Sequence, residues 1–175
     1  MSIIYRIGDA TLPQGDGTKL IVHCCNDIGA WGAGFVLALS RRWAEPKVEY
    51  QKWCNGDLTA KCELIELQPM NLGEIQIVQV EPKLYVCNLI GQHNIGFSID
   101  GRPPIRYTAI KDGLEKVAAV CKANNISVHM PRIGSKLAGG NWTQIEYIIE
   151  SILVEQGVPV TVYDLENLGD VEYTD

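Results

Sequence analysis

Two segments dense in glycine, Gly29-Ala30-Trp31-Gly32-Ala33-Gly34 and Gly134-Ser135-Lys136-Leu137-Ala138-Gly139-Gly140, are where this sequence could hold an anion. Glycine lets the main chain approach a ligand with no Cβ in the way, and successive N–H groups then form a nest for negative charge. Each segment follows an apolar run and leads toward a helical pattern, so that a helix N-terminus can add its dipole. Two such loops facing each other would clamp a diphosphate from both sides. The usual nucleotide fingerprints do not fit. Gly29-x-x-Gly32-x-Gly34 is not GxGxxG, and Gly134-Ser135-Lys136 is not the Gly-Lys-Ser/Thr end of a longer phosphate loop. Either loop alone could be no more than a tight turn; two in equivalent positions favour binding.

The side chains around these loops suggest phosphate-monoester chemistry, which needs the phosphoryl group held, its charge neutralised and a water aimed in line. Asn26 and the loop amides could hold it. Asp27, just beyond a strand end, either orients the water or bonds its own turn. His23 either transfers a proton or sits as a satisfied histidine inside its apolar run. Lys136 and Arg132 are the basic residues of the second loop and could neutralise a terminal phosphate, Lys136 being equally readable as solvated. Ser135 could be a phosphate ligand, though no base adjoins it to make it a nucleophile. Gln92 and His93 sit at another strand end, lining a pocket or capping the strand. Trp31 and Trp142 flank the loops and either meet a ligand or shape loop entry, Trp43 belongs to a helix stripe, and Trp53 has no assignable role.

These residues need a scaffold that brings several strand ends together. Ser2–Ile7 and Lys19–Cys25 read as strands, the second with the near-continuous apolar run of a central strand covered on both faces. Phe35, Leu39 and Trp43 recur every fourth residue, with Arg41 and Arg42 at the helix end and Pro46 after it. A second short helix is expected over 46–54, an irregular insertion or a weak strand over 55–73, and adjacent strands over 74–80 and 84–90. Tyr107, Ile110, Leu114, Val117 and Cys121 form one apolar stripe, predicting a helix over 106–122. Strands over 126–130 and 160–163 bracket a helix over 143–156, with Thr143 and Glu146 at capping-box spacing. Strands alternating with helices predict an α/β fold, a three-layer α/β/α domain on a mixed, mostly parallel central sheet. The domain is expected to span residues 1–165, with an acidic C-terminal tail over 166–175.

The whole-chain totals agree with one domain. The 175 residues are 46% hydrophobic and 21% charged, as in ordinary globular proteins. A net charge of -6 and a pI near 5.1 disfavour nucleic acid as a partner. Met1–Arg6 lacks the long apolar core of a signal peptide, and no apolar run reaches the ~20 residues a bilayer span needs, so a soluble, cytoplasmic protein without a membrane partner is expected. Cys24, Cys25, Cys54, Cys62, Cys87 and Cys121 include no CxxC pair and predict reduced thiols rather than a metal site or disulfide framework.

With these motifs in view, the chain resembles the macro domain family over nearly its whole length. Gly8-Asp9-Ala10-Thr11 resembles the family's Gly-Asp-Ile-Thr, whose aspartate contacts the adenine amino group. The resemblance therefore places Gly8, Asp9 and Ala10 at the ligand and gives Asp9 that contact. Val22-His23-Cys24-Cys25-Asn26 resembles the strand whose final asparagine meets the distal ribose, which assigns Asn26. Gly32, Ala33, Gly34 and Phe35 match the first phosphate loop; Arg132, Ile133, Gly134, Ser135, Lys136, Leu137, Ala138 and Gly139 match the second. Within the family, His23 and Met130-Pro131-Arg132-Ile133 resemble the branch of the yeast ADP-ribose 1''-phosphate phosphatase and the vertebrate terminal ADP-ribose protein glycohydrolase. The lysine and aspartate used by the glycohydrolase branch are absent: the matching stretches read Leu89-Ile90-Gly91-Gln92 and Leu137-Ala138-Gly139. The resemblance implies an ADP-ribose-binding domain that acts as a metal-independent, cofactor-free phosphatase on ADP-ribose 1''-phosphate, with His23, Asn26 and Asp27 as the catalytic group. Its alternatives are a non-catalytic ADP-ribose-binding module and a protein de-ADP-ribosylating hydrolase with altered residues. The implied partners are ADP-ribose, its 1''-phosphate, or an ADP-ribosylated protein.

Overall fold

In the computed structural model, residues 1–165 are described; the expected acidic tail over 166–175 lies outside the described residues. The strands are β1 (Ile4–Ile7), β2 (Thr18–Asn26), β3 (Ile75–Glu81), β4 (Leu84–Gln92), β5 (Ile126–Met130) and β6 (Val160–Asp164). They build one sheet in the order β1-β6-β5-β2-β4-β3. Only β3 runs antiparallel, paired with β4 through a tight connection; the other neighbours are parallel. The carboxyl ends of β1, β6, β5, β2 and β4 therefore share one edge of the sheet, and both glycine loops leave from it. This is a three-layer α/β/α arrangement on a mixed sheet.

Helices α1 (Phe35–Arg42) and α2 (Glu45–Cys54) cover one face, while α3 (Tyr107–Asn124) and α4 (Trp142–Ile152) cover the other. The alternation of β2 explains how one strand serves both layers. Leu20, Val22 and Cys24 enter the core beneath α3 and α4, and Ile21 and Cys25 enter the core beneath α1 and α2. Ile110, Leu114, Val117 and Cys121 of α3 are buried as their spacing predicts. No helix among the described residues is long and apolar enough to cross a membrane.

Three local readings need correction. Helix α4 starts at Trp142, so Thr143 falls inside its first turn. The cap is Asn141, whose side chain accepts the Gln144 N–H at 3.3 Å, while Glu146 accepts the Tyr5 hydroxyl. The same helix stops at Ile152, and Val154–Gln156 is a separate 3₁₀ turn. Trp43 is buried, but as the residue that ends α1 in extended conformation.

The irregular stretch over 55–73 is held by side chains rather than by elements of its own. The Trp53 indole, fully buried, donates to the Gln68 carbonyl at 2.6 Å. Glu63 N–H donates to Ile77 O, and Ile77 N–H meets the Cys62 sulfur. Residues 62–63 thus lie along the outer edge of β3 and satisfy part of it, as an edge strand requires.

A buried polar ladder crosses the sheet beneath α2. His23 Nε2 meets Asn88 Oδ1 at 2.5 Å, and Asn88 Nδ2 donates to Gln76 Oε1 and to the Pro46 carbonyl. Gln76 in turn donates to the carbonyls of Glu49 and Lys61. Because Asn88 Oδ1 can only accept, His23 carries its proton on Nε2 in this arrangement. Burial pushes the His23 imidazole down to about 4, the Asn88 bond opposing part of that shift. His129, between Ser127 and Tyr163, is also pushed down to about 4 by burial and then by Lys19.

Both histidines thus resist protonation when folded but accept it near pH 6.5 when unfolded. The unfolded state binds more protons between pH 6.5 and 4, so stability falls as pH drops through that window. Each histidine contributes a loss of about 2 kcal/mol at pH 5. Urea denaturation at pH 7.5 and pH 5 should show a clearly lower midpoint at pH 5; an unchanged midpoint contradicts the assignment.

Candidate functional site

A cleft of about 330 Å³ opens at the carboxyl edge of the sheet, between the ends of β2 and β4. Asn26, Gly32, Ala33, Gln92 and Leu137, all expected from the sequence, form part of its wall. Ala30, also of the first glycine loop, lies beside them; Cys24, Cys25, Val36, Ile95 and Gly96 complete the wall and were not anticipated. The cysteines were legible only as strand residues. Their place as the last side chains of β2 before Asn26 puts both at the cleft floor. Ile95 and Gly96 simply continue past the end of β4.

The first glycine loop presents unsatisfied donors. Among the described residues, the main-chain N–H groups of Gly32, Ala33 and Gly34 have no hydrogen-bond partner. Gly34 caps α1 with φ 81° and ψ -146°, a conformation that excludes a side chain. The first turn of α1 carries no acidic residue to occupy its positive end. A protein of net charge -6 can in this way offer one place to an anion.

Asn26 is committed to its own loop. Its Oδ1 accepts from Ile28 N–H, Ala30 N–H and the Tyr50 hydroxyl at 2.9–3.0 Å, and its Nδ2 donates to Ala30 O at 2.8 Å. It shapes the loop, with little capacity left to hold a phosphoryl group. His23 is fully buried, with Trp31 and Phe35 rings against it. It does not line the cleft, so a role in proton transfer to a ligand is corrected to one in the core. Asp27 directly follows the wall residue Asn26 at the end of β2. Its Oδ2 lies 2.7 Å from His93 Nδ1, and its Oδ1 accepts Asn94 N–H at 2.6 Å. Neither oxygen bonds its own turn, so the turn-making reading is corrected: Asp27 ties the end of β2 to the loop after β4, and His93 is the partner the sequence did not reveal.

The other carried-over positions divide by what already occupies them. Asp9 accepts from Thr11 N–H and Thr11 Oγ1 and pairs with Arg42 at 3.4 Å, an engagement that an adenine amino group would have to share. Gly8 N–H is bonded to Asp164 O in the β1–β6 ladder's extension. Ala10, Phe35, Ile133 and Ala138 are buried in the two cores, so at most their main chains could meet a ligand. Arg132 makes a bidentate pair with Asp164 at 2.7 and 2.9 Å and lies over the rings of Tyr5 and Trp142, which corrects its expected role as a phosphate neutraliser. Ser135 donates its hydroxyl proton to Arg132 O at 2.7 Å, so that proton is not available to a phosphate. Lys136 is exposed at the loop's outer tip, Gly134 and Gly139 shape the turn, and Leu137 is the loop's side chain on the cleft wall. Trp31 bonds Ser40 and packs on Tyr50, and Trp142 meets Tyr5; neither lines the cleft.

No family model matches the chain. A solved structure described as a macrodomain protein from Streptomyces coelicolor is 45% identical, with a TM-score of 0.77, over 93% of this chain and 99% of that one. The chain belongs to the macrodomain family. This macrodomain is also similar to a structure of a protein of unknown function from Bacteroides thetaiotaomicron, at 49% identity, TM-score 0.87, over 94% of this chain and 99% of that one. Among curated proteins, the mouse chromodomain-helicase-DNA-binding protein 1-like is 32% identical over 171 residues, covering 93% of this chain. The chain spans 18% of that protein's length and 15% of its zebrafish counterpart's. Two relatives of similar length carry enzymatic names: an ADP-ribose 1''-phosphate phosphatase from Lodderomyces elongisporus, at 23% identity over 87% of this chain and 93% of that protein, and the bovine ADP-ribose glycohydrolase OARD1, at 25% over 93% and 91%. Among the described residues, no group of His, Cys, Asp and Glu could hold a metal ion.

Proposed function

We propose that this macrodomain binds ADP-ribose in the cleft between β2 and β4 and hydrolyses ADP-ribose 1''-phosphate to ADP-ribose and phosphate. The observation that carries the reading is the pair of unpartnered amides at Gly32 and Ala33, two residues of the cleft wall, with Asp27 directly following the wall residue Asn26. The amides and the α1 N-terminus hold the diphosphate, and Leu137 closes the opposite wall. Asp27, fixed by Asn94 N–H and His93, orients the attacking water. The two relatives named for ADP-ribose chemistry support the same substrate class. The domain carrying this activity is residues 1–165.

Purified protein incubated with ADP-ribose 1''-phosphate should release phosphate, and Asp27→Asn should slow release by about 100-fold or more, the scale of a lost proton-handling group. ADP-ribose should raise the thermal midpoint of both proteins, since a ligand of the native state alone stabilises it. A thermal shift without phosphate release moves the reading to a non-catalytic ADP-ribose-binding module, which the commitment of Asn26 to its own loop and the burial of His23 favour. No shift with either nucleotide overturns the cleft assignment itself.

A further inference from the structure

We propose that a second, smaller cavity beside the cleft, lined by His93, Arg102 and Arg106, is an oxyanion subsite that takes the terminal phosphoryl group of a phosphorylated ADP-ribose. The proposal rests on the ADP-ribose reading of the main cleft. The cavity measures about 160 Å³, and Ile95 and Gly96 belong to its wall and to that of the main cleft, so the two lie on either side of one short segment. Its walls contain no carboxylate.

The three nitrogen-bearing side chains are pre-positioned. The Asp27 carboxylate engages His93 Nδ1 at 2.7 Å, which leaves Nε2 as the ring nitrogen open to a ligand. One Arg106 nitrogen donates to the carbonyls of Pro103, Pro104 and Ile105 at 2.6, 3.0 and 2.9 Å. Those bonds fix the guanidinium, and its other nitrogens have no partner among the described residues. The Ser98–Arg102 turn is closed by Ser98 N–H to Arg102 O at 2.9 Å and by Gly101 N–H to Ser98 O at 2.9 Å. Asp100, the nearby acid on that turn, is engaged by the Ser98 hydroxyl and the Arg102 N–H rather than by a guanidinium. The Arg102 guanidinium makes no hydrogen bond among the described residues; the Asp100 carboxyl is held below its usual range by the Ser98 hydroxyl, then the Arg102 N–H, with a smaller contribution from the Arg102 charge.

A planar guanidinium pair and an imidazole around a phosphate-sized space make a chemically specific combination, because guanidinium matches two oxygens of a phosphoryl group at once. Asp27 and Asp100 border the cavity from outside its walls, so the two guanidiniums balance the local charge in a chain of net charge -6. The subsite also places a phosphoryl group beside Asp27, the residue assigned above to the attacking water. On this arrangement ADP-ribose and inorganic phosphate, the two products, occupy neighbouring sites together.

That last consequence supplies the test. Wild-type protein and the Arg102→Gln and His93→Gln variants are first saturated with ADP-ribose, which fills the main cleft. They are then titrated with inorganic phosphate by isothermal calorimetry against chloride of equal ionic strength. The expected result is measurable phosphate binding to the loaded wild type, weakened about tenfold or more in Arg102→Gln and lowered in His93→Gln. ADP-ribose binding with no phosphate heat in the loaded wild type overturns the subsite and leaves the main-cleft reading standing. Phosphate binding that both variants retain at full strength also overturns it. If ADP-ribose itself fails to bind, the main-cleft reading is lost and the subsite with it.

Discussion

Replacing Asn88 by alanine should cost the protein about 3–6 kcal/mol, a large part of the 5–15 kcal/mol by which domains of this kind are stable. Asn88 is fully buried and satisfies three groups: the His23 ring nitrogen at 2.5 Å, Gln76 Oε1 at 3.0 Å and the Pro46 carbonyl at 3.2 Å. Alanine supplies none of these, and all three lie in the buried interior around a fully buried Asn88. Each stranded buried polar group costs about 1–3 kcal/mol, much more than the net value of the bond it once made. The effect should reach α2 and the 55–73 stretch, because Gln76 and Pro46 tie both to the sheet. Urea denaturation of the variant beside wild type measures it. A loss below about 1 kcal/mol would show that the ladder is not the keystone its burial indicates.

The second large effect is expected at Gly140. A Cβ there would collide with the main-chain oxygen of Gly134, the atom that accepts Gly140's own N–H at 2.8 Å, and would lie 3.0 Å from Ile145 Cδ1. That bond closes the loop from 134 to 140, and the obstacle is backbone, which cannot rotate away. Gly140→Ala should therefore cost about 1–3 kcal/mol of stability by overpacking. It should also displace Leu137 from the cleft wall and remove the thermal shift produced by ADP-ribose. Gly32→Ala is the informative companion: nothing lies within 4 Å of its Cβ position, which points to open space, so it should leave the melting point without ligand near wild type. A Gly140→Ala protein that melts like wild type and still responds to ADP-ribose would remove the second loop from the site.

What the chain's order reveals of this structure depends on whether a feature is local. The apolar run over Lys19–Cys25 and the stripe on Tyr107–Cys121 are local patterns, and both elements formed where the pattern placed them. The glycine loops were legible for the same reason, each being a strand, a loop and a helix in succession. The polar ladder joins positions 23, 76 and 88, on three strands, and no spacing along the chain announces it. Asn26 illustrates a different limit. Its position at the end of β2 was readable, but the Tyr50 hydroxyl that donates to its side-chain oxygen arrives from α2. Arg132 looked like a free cation in a phosphate loop until β6 brought Asp164 beside it. Likewise His93 gained its meaning only when β2 and β4 were neighbours and Asp27 lay 2.7 Å away.

The sheet order carries one more consequence, for the timing of assembly on the ribosome. Among the described residues β1 pairs only with β6, Ile4 lying opposite Thr161, so the first strand of this sheet must wait for the sixth. Until β6 emerges, β5 also lacks its outer neighbour, and the loop closures joining these ends are among the longest the chain can make. The nascent chain can lay down β2, β4 and β3 with their helices while β1 remains undocked. The Gly8-Asp9 turn that follows β1 is therefore fixed only after β6 has emerged, when the glycine loops already have the strands they spring from.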